Sequence, residues 1–104
     1  MKKAAALLAL SFVLAAPAFA AGPDGAALYK GKCAMCHGAD GSGKTSMGKS
    51  LKMRDLRSPD VQKQTDIQLT DIIAGGKGKM PAYGKKITTQ EIQAVIAHLR
   101  TLKN

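Results

Sequence analysis

The stretch Cys33-Ala34-Met35-Cys36-His37 constrains this chain more than any other. Two thiols separated by two residues stand one helical turn apart, and an imidazole follows the second directly, so three reactive or metal-binding side chains leave the backbone at fixed spacing. The stretch runs straight into Gly38-Ala39-Asp40-Gly41-Ser42-Gly43-Lys44-Thr45, which fits the phosphate-cradling pattern G-x-x-x-x-G-K-[ST]. The two patterns demand different surroundings, and the rest of the chain has to decide between them.

The N-terminus supplies the compartment. Lys2 and Lys3 precede an apolar block from Ala4 to Ala16, then Pro17 and the small-residue site Ala18-Phe19-Ala20. That order predicts a secretory signal over residues 1–20 and an exported domain over 21–104, soluble in the periplasm after cleavage. The apolar block is about 13 residues, short of the roughly 20 that a membrane-spanning helix needs, so no stable membrane insertion is expected. Removing residues 1–20 of the 104 also removes both phenylalanines, leaving Tyr29 and Tyr83 as the aromatics. So thin an apolar inventory predicts a bound group or a covalent staple in the core. Without Lys2 and Lys3 the domain keeps 14 basic against 7 acidic residues, a charge that favours anionic partners. Nucleic acid is not expected among them, because the chain has neither a stacking-aromatic pattern nor a nucleic-acid-binding module.

A phosphate cradle needs a buried strand feeding a glycine-rich turn at a helix N-terminus. Here the preceding residues form a predicted helix with two cysteines, the following Ser46-Met47-Gly48-Lys49-Ser50-Leu51-Lys52-Met53 has no convincing buried face, and no later strand could carry a magnesium-binding acid. No nucleotide is therefore expected, and the pattern follows from a loop rich in glycine and lysine. The C-x-x-C-H pattern is more demanding. Two thiols at this spacing can add across the two vinyl groups of a haem, and the adjacent imidazole then lies under the iron as its proximal ligand. Cys33 and Cys36 would fasten one haem c and His37 would ligate its iron. A disulfide or a thioredoxin-like dithiol would lack its βαβ context and leave His37 unused.

The remaining sequence predicts helices and loops. Asp24 is a good N-cap for a first helix carrying Gly25, Leu28 and Tyr29 into the cysteine motif. Gly38 to Ser50 is predicted as a loop. Ser58-Pro59 starts a short helix through about Lys63. Another runs from Asp66 and ends at Gly75-Gly76. Thr88 and Glu91 form a capping box for the last helix, with Ile92, Val95, Ile96, Leu99 and Leu102 on one face.

An electron-transfer haem takes a second axial ligand, and a thioether opposite histidine favours reduced iron. The candidates are Met35, Met47, Met53, Met80 and His98. Met35 is tied to the proximal side, Met53 is more simply a core filler beside Leu51 and Leu56, and His98 borders the apolar stripe of the last helix. Met80 stands in Ala74-Gly75-Gly76-Lys77-Gly78-Lys79-Met80-Pro81-Ala82-Tyr83, where glycines allow close approach to the ring and Pro81 stiffens the chain. It is the predicted sixth ligand.

With Cys33, Cys36, His37 and Lys79-Met80-Pro81-Ala82-Tyr83 in place, the chain resembles the class I cytochromes c, in particular small soluble bacterial monohaem ones, over about Asp24 to Leu102. The resemblance implies an all-α fold of several short helices around one covalently bound haem, with the first and last helices crossing. The crossing would use Gly25 and Tyr29, and the partner aromatic of the last helix would fall at position 98, where this chain has histidine. Haem-lining positions implied by the family are Leu51, Leu56, Ile67, Leu69, Ile73, Pro81 and Leu99. The function implied is one-electron transfer between a donor and an acceptor redox protein of a respiratory or related chain, with iron cycling between ferric and ferrous states and no catalysis. A haem sensor or enzyme with a labile sixth ligand is the alternative. Lys77, Lys79, Lys85 and Lys86 flank Met80, and no acidic residue occurs from Ile72 to Gln90, which predicts a basic face for acidic docking surfaces.

Overall fold

The computed structural model describes Ala9, Ser11 and residues 22–102. The predicted signal over 1–20 and the start of the exported domain at 21 thus lie, but for those two isolated positions, outside the described residues. Among the described residues the chain is helical and has no strand: α1 (Gly25–Lys32), α2 (Ala34–His37), α3 (Ser46–Ser50), α4 (Pro59–Gln62), α5 (Asp66–Gly75) and α6 (Thr89–Thr101). Capping chemistry sets most of the starts. The Asp24 carboxylate accepts from Ala27 N at 3.1 Å, and Ser58 precedes Pro59 at the first position of α4. The predicted box of Thr88 and Glu91 forms at α6, and an equivalent box of Thr65 and Gln68 opens α5.

One predicted loop is partly a helix. Residues 46–50 form α3, started by Thr45, whose hydroxyl accepts from Gly48 N at 2.8 Å. Glycine is required inside this helix because α3 packs end-on to the motif. A Cβ on Gly48 would lie 2.6 Å from the Cys36 carbonyl oxygen.

Helices α1 and α6 cross at Gly25. A Cβ there would fall inside the Ala94 carbonyl, so only glycine lets the two backbones come this close. One turn further, the Tyr29 ring meets the His98 ring with centroids 5.0 Å apart and planes at 49°. Histidine thus takes the place expected for an aromatic partner, and the crossing survives the exchange. Tyr29, Ile92, Val95, Ile96 and Leu99 form the centre of the core, joined by Val61, Leu69, Ile73 and Ile87. The α6 stripe is the one its sequence predicts, with Leu102 half-buried at its end. Arg100 fastens the intervening chain to α6 by donating to the carbonyls of Gln62 and Gln64 and to the Asp66 carboxylate.

Candidate functional site

The motif residues sit on a short helix whose end is fixed from three directions. Gly38, at φ 83°, terminates α2, and each of the last three carbonyls has a donor. Thr45 Oγ1 donates to Cys36 O at 2.7 Å, Gly43 N to His37 O at 2.7 Å and Tyr29 Oη to Gly38 O at 2.6 Å. Thr45 therefore spends its hydroxyl on the motif and on the cap of α3. The glycine-rich stretch shapes the turn after His37 and follows a helix, as the exclusion of a phosphate cradle requires.

No disulfide joins Cys33 and Cys36, and both are half-buried. Burial pushes the Cys33 thiol up from its ordinary value, with a smaller opposing pull from Lys32, and burial pushes the His37 imidazole down. The neutral imidazole, with a lone pair to give, is thus the favoured form. Nδ1 of His37 is buried without a hydrogen-bond partner.

Met80 is carried by the turn that follows α5. The turn starts at Gly76, φ 76°, where a Cβ would lie 2.8 Å from Met80 O. Lys77 and Met80 exchange two backbone hydrogen bonds, and beyond them Tyr83 N and Gly84 N bond back to Ile73 O and Ala74 O at the end of α5. Met80 is thereby hung beside the core from a helix on the far side of the motif.

Two cavities lie between these parts, of about 330 Å³ and about 160 Å³, and Cys33, His37, Met53, Lys77 and Met80 line both. The smaller also meets Cys36, Leu51, Pro81 and Tyr83. The larger is walled by Leu56, Val61, Leu69, Ile73, Val95 and Leu99. Six of the seven expected lining positions are thus at the cavities. Ile67 is not: it is 76 % exposed. It precedes Leu69 by two residues, roughly half a helical turn, which turns it to the opposite side of α5, and Ile72 lines the wall instead. Tyr29, Val61 and Val95 were missed as lining residues, although the register of α1 and α6 could have given Tyr29 and Val95.

The methionines separate by position. Met35 is 76 % and Met47 45 % exposed, and neither lines a cavity, whereas Met53 and Met80 line both. His98 is occupied against Tyr29. Among the described residues no cluster of three or more His, Cys, Asp or Glu side chains could hold a bare metal ion.

Two thiols, a half-buried imidazole whose Nδ1 lacks a partner, and a thioether around an apolar hollow fit a covalently attached haem. The fold and the site together define a single-haem, all-α electron carrier, and the comparisons with known proteins agree. The family model for cytochrome c oxidase, cbb3-type, subunit III matches residues 20–99. Cytochrome c6 of Aphanizomenon flos-aquae is 33 % identical over 73 % of this chain and 84 % of its own length, and that of a Synechococcus strain is 32 % identical over 95 % and 91 %. The cbb3-type oxidase subunit FixP of Azorhizobium caulinodans is 30 % identical over 79 % of this chain, which spans 27 % of FixP. Among solved structures, the c-type cytochrome KustC0563 superposes with a TM-score of 0.72 at 31 % identity, covering 78 % of this chain and 99 % of that one. The chain belongs to the cytochrome c family and is a small monohaem class I cytochrome c. It binds haem c with its iron covalently, and it is an electron-transfer protein that works with redox-protein partners, not an enzyme.

Proposed function

We propose that Cys33 and Cys36 carry the two thioether bonds to haem, that His37 and Met80 are the axial ligands of its iron, and that the protein, freed of residues 1–20, shuttles electrons in the periplasm between partners with acidic docking surfaces. The observation carrying the ligand set is that His37 and Met80, 43 residues apart, line the same two cavities as Cys33. When bound, haem iron supplies the ferric–ferrous couple. The chain's own part is to hold the donors still. The capped end of α2 fixes the imidazole, and the paired turn at Lys77 and Met80 fixes the thioether. Export is supported by the basic, apolar and Ala-x-Ala order of residues 1–20 and by the family match beginning at residue 20. No helix among the described residues is long and apolar enough to cross a membrane.

Met53 is the second reading for the sixth ligand, because it too lines both cavities. Parallel Met80→Ala and Met53→Ala variants decide it. Met80→Ala should abolish the weak sulfur-to-iron absorption at the red end of the ferric spectrum and make the ferrous protein bind carbon monoxide readily. Met53→Ala should keep the band. The reverse result transfers the ligand to Met53.

Lys77, Lys79, Lys85 and Lys86 are all exposed, and Lys32, Lys77 and Lys79 line the smaller cavity beside Pro81 and Tyr83. Such a ring of one sign steers an acidic partner toward the opening. Replacing Lys77, Lys79, Lys85 and Lys86 by glutamine should leave the spectrum intact and slow electron exchange with an acidic partner by roughly tenfold or more in dilute buffer. The gap should close as salt shortens the Debye length to about 8 Å at physiological ionic strength. Equal rates at low salt would move the docking face elsewhere.

A further inference from the structure

The turn that carries Met80 is bonded to one side of the molecule only. Among the described residues, the hydrogen bonds of residues 77–82 are the two that Lys77 and Met80 exchange with each other. The turn therefore hangs from its ends. Gly76 N donates to Ile72 O at 2.8 Å before it, and Tyr83 N and Gly84 N donate to Ile73 O and Ala74 O at 2.9 and 3.0 Å after it. All three acceptors belong to α5, so the backbone ties the turn to that helix and leaves its span to the motif to side chains. Lys77, Gly78, Lys79, Pro81 and Ala82 are exposed. A segment so sparsely bonded and so open to water opens locally at little cost.

One hydrogen bond bridges the two sides. Tyr83 Oη donates to Lys32 O at 3.2 Å, across 51 residues of sequence, and both residues line the smaller cavity. Among the described residues it is the one hydrogen bond between residues 73–87 and residues 24–45. Its acceptor is left over by the break between α1 and α2. Cys33 N returns to Tyr29 O, and Cys36 N and His37 N both take Cys33 O, so no backbone N–H reaches the Lys32 carbonyl. Carbonyls at a helix end need a partner from elsewhere, and the phenol supplies one. The ring is held too. Lys86 Nζ stands 5.2 Å from its centroid, within cation–π reach, and Lys86 N and Ile87 N donate to Tyr83 O at 2.9 and 3.0 Å.

We propose that Tyr83 is a positioning residue for the sixth ligand: its phenol clasps the Met80 turn to the residue before Cys33 and so keeps the thioether at the cavity that His37 also lines. The inference rests on Met80 being the axial ligand, as given above. Methionine is a flexible side chain, so what holds its sulfur in place is the turn beneath it. Tyr83→Phe keeps the ring, its packing and its place under Lys86, and loses only the bond to Lys32 O.

The test is displacement of the sixth ligand from the ferric holoprotein by imidazole, followed by loss of the red-end band. At saturating imidazole the rate no longer depends on its concentration and reads the opening of the site. Removing one neutral hydrogen bond from the closed form should raise that limiting rate in Tyr83→Phe by about two- to tenfold. Asp24→Ala is the control. It removes the cap of α1, a loss of similar size to the fold, at a residue that lines neither of these cavities, and should open at the wild-type rate. A Tyr83→Phe rate equal to wild type, or an Asp24→Ala rate raised as much, overturns the clasp. The wild-type spectrum separates the two readings: absence of the red-end band sinks Met80 as ligand and the clasp with it, whereas a band present in wild type with an unchanged rate in Tyr83→Phe sinks the clasp alone.

Discussion

The crossing of α1 and α6 and the hollow beside it are made from some of the same residues, yet they are finished in different ways. At the crossing, protein meets protein. Gly25 lets the backbones touch, and the Tyr29 ring is packed against His98. In the hollow, the inner sides of Tyr29, Val95 and Leu99 face cavity space that no other side chain fills. Close-packed interiors leave few voids larger than a water molecule, so a hollow of about 330 Å³ in so small a domain marks a place for a group the polypeptide does not itself provide. One region is complete at the level of sequence, the other only after attachment.

The largest effect should come from removing the attachment. A Cys33→Ala, Cys36→Ala variant is expected to retain no covalent haem by mass spectrometry and to lose most of its helical circular dichroism, because the core has too little apolar surface to close without the group. A haem-free variant that kept a cooperative thermal transition would show that the crossing alone supports the fold. Gly25→Val attacks the other region. Its side chain meets the Ala94 backbone, which cannot give way as a flexible side chain could, and overpacking of this kind typically costs about 1–3 kcal/mol. Denaturant unfolding should report that loss with the attached haem's red-end band unchanged. Loss of the band along with stability would mean the two regions are mechanically one.

The smallest effect concerns the residue they share. Tyr29→Phe removes the hydrogen bond to Gly38 O, worth about 1 kcal/mol at neutral pH. Burial, more than the neighbouring Cys33 and Asp40, pushes the Tyr29 phenol up from 10.0 to about 12. A folded pKa above the unfolded one means that the neutral phenol's contribution is whole below pH 10 and is lost as pH rises through about 12. Stability curves of wild type and variant should therefore converge between those values. Parallel curves across that range would mean that the phenol titrates normally.

How far the sequence was legible differs between the same two regions. Asp24, the Thr88–Glu91 box and the α6 stripe act locally, through spacing and capping, and all three are where their sequence predicts them. Gly25 and Tyr29 were legible through resemblance to a family, since nothing local to α1 says which helix it meets. In the hollow the motif was plain, because adjacent side chains with covalent chemistry carry their meaning in their order. Ile67 failed because apolar character without register does not give a face. In sequence Met53 has the character of a core filler beside Leu51 and Leu56. Its place on both cavity walls depends on the turn at Lys52, whose positive φ has no glycine to announce it. The helix at 46–50 was hidden for a related reason: a five-residue helix with a glycine inside has no periodicity to detect, and its existence depends on Thr45 bonding two ways.

The crossing also sets an order of events. It joins the first helix of the described chain to the last, so α1, made first, must wait for α6 before it gains its main contact. Closing so long a loop costs conformational entropy before any contact repays it. Cys33 and Cys36 lie immediately after α1, and throughout that wait they adjoin a helix that has not yet gained its main contact. Once α6 docks on Gly25 and Tyr29, the same segment is tied down by the bond from Tyr29 to Gly38. The topology that makes the finished molecule tight therefore also keeps a time window open for its modification, and closes it at the end.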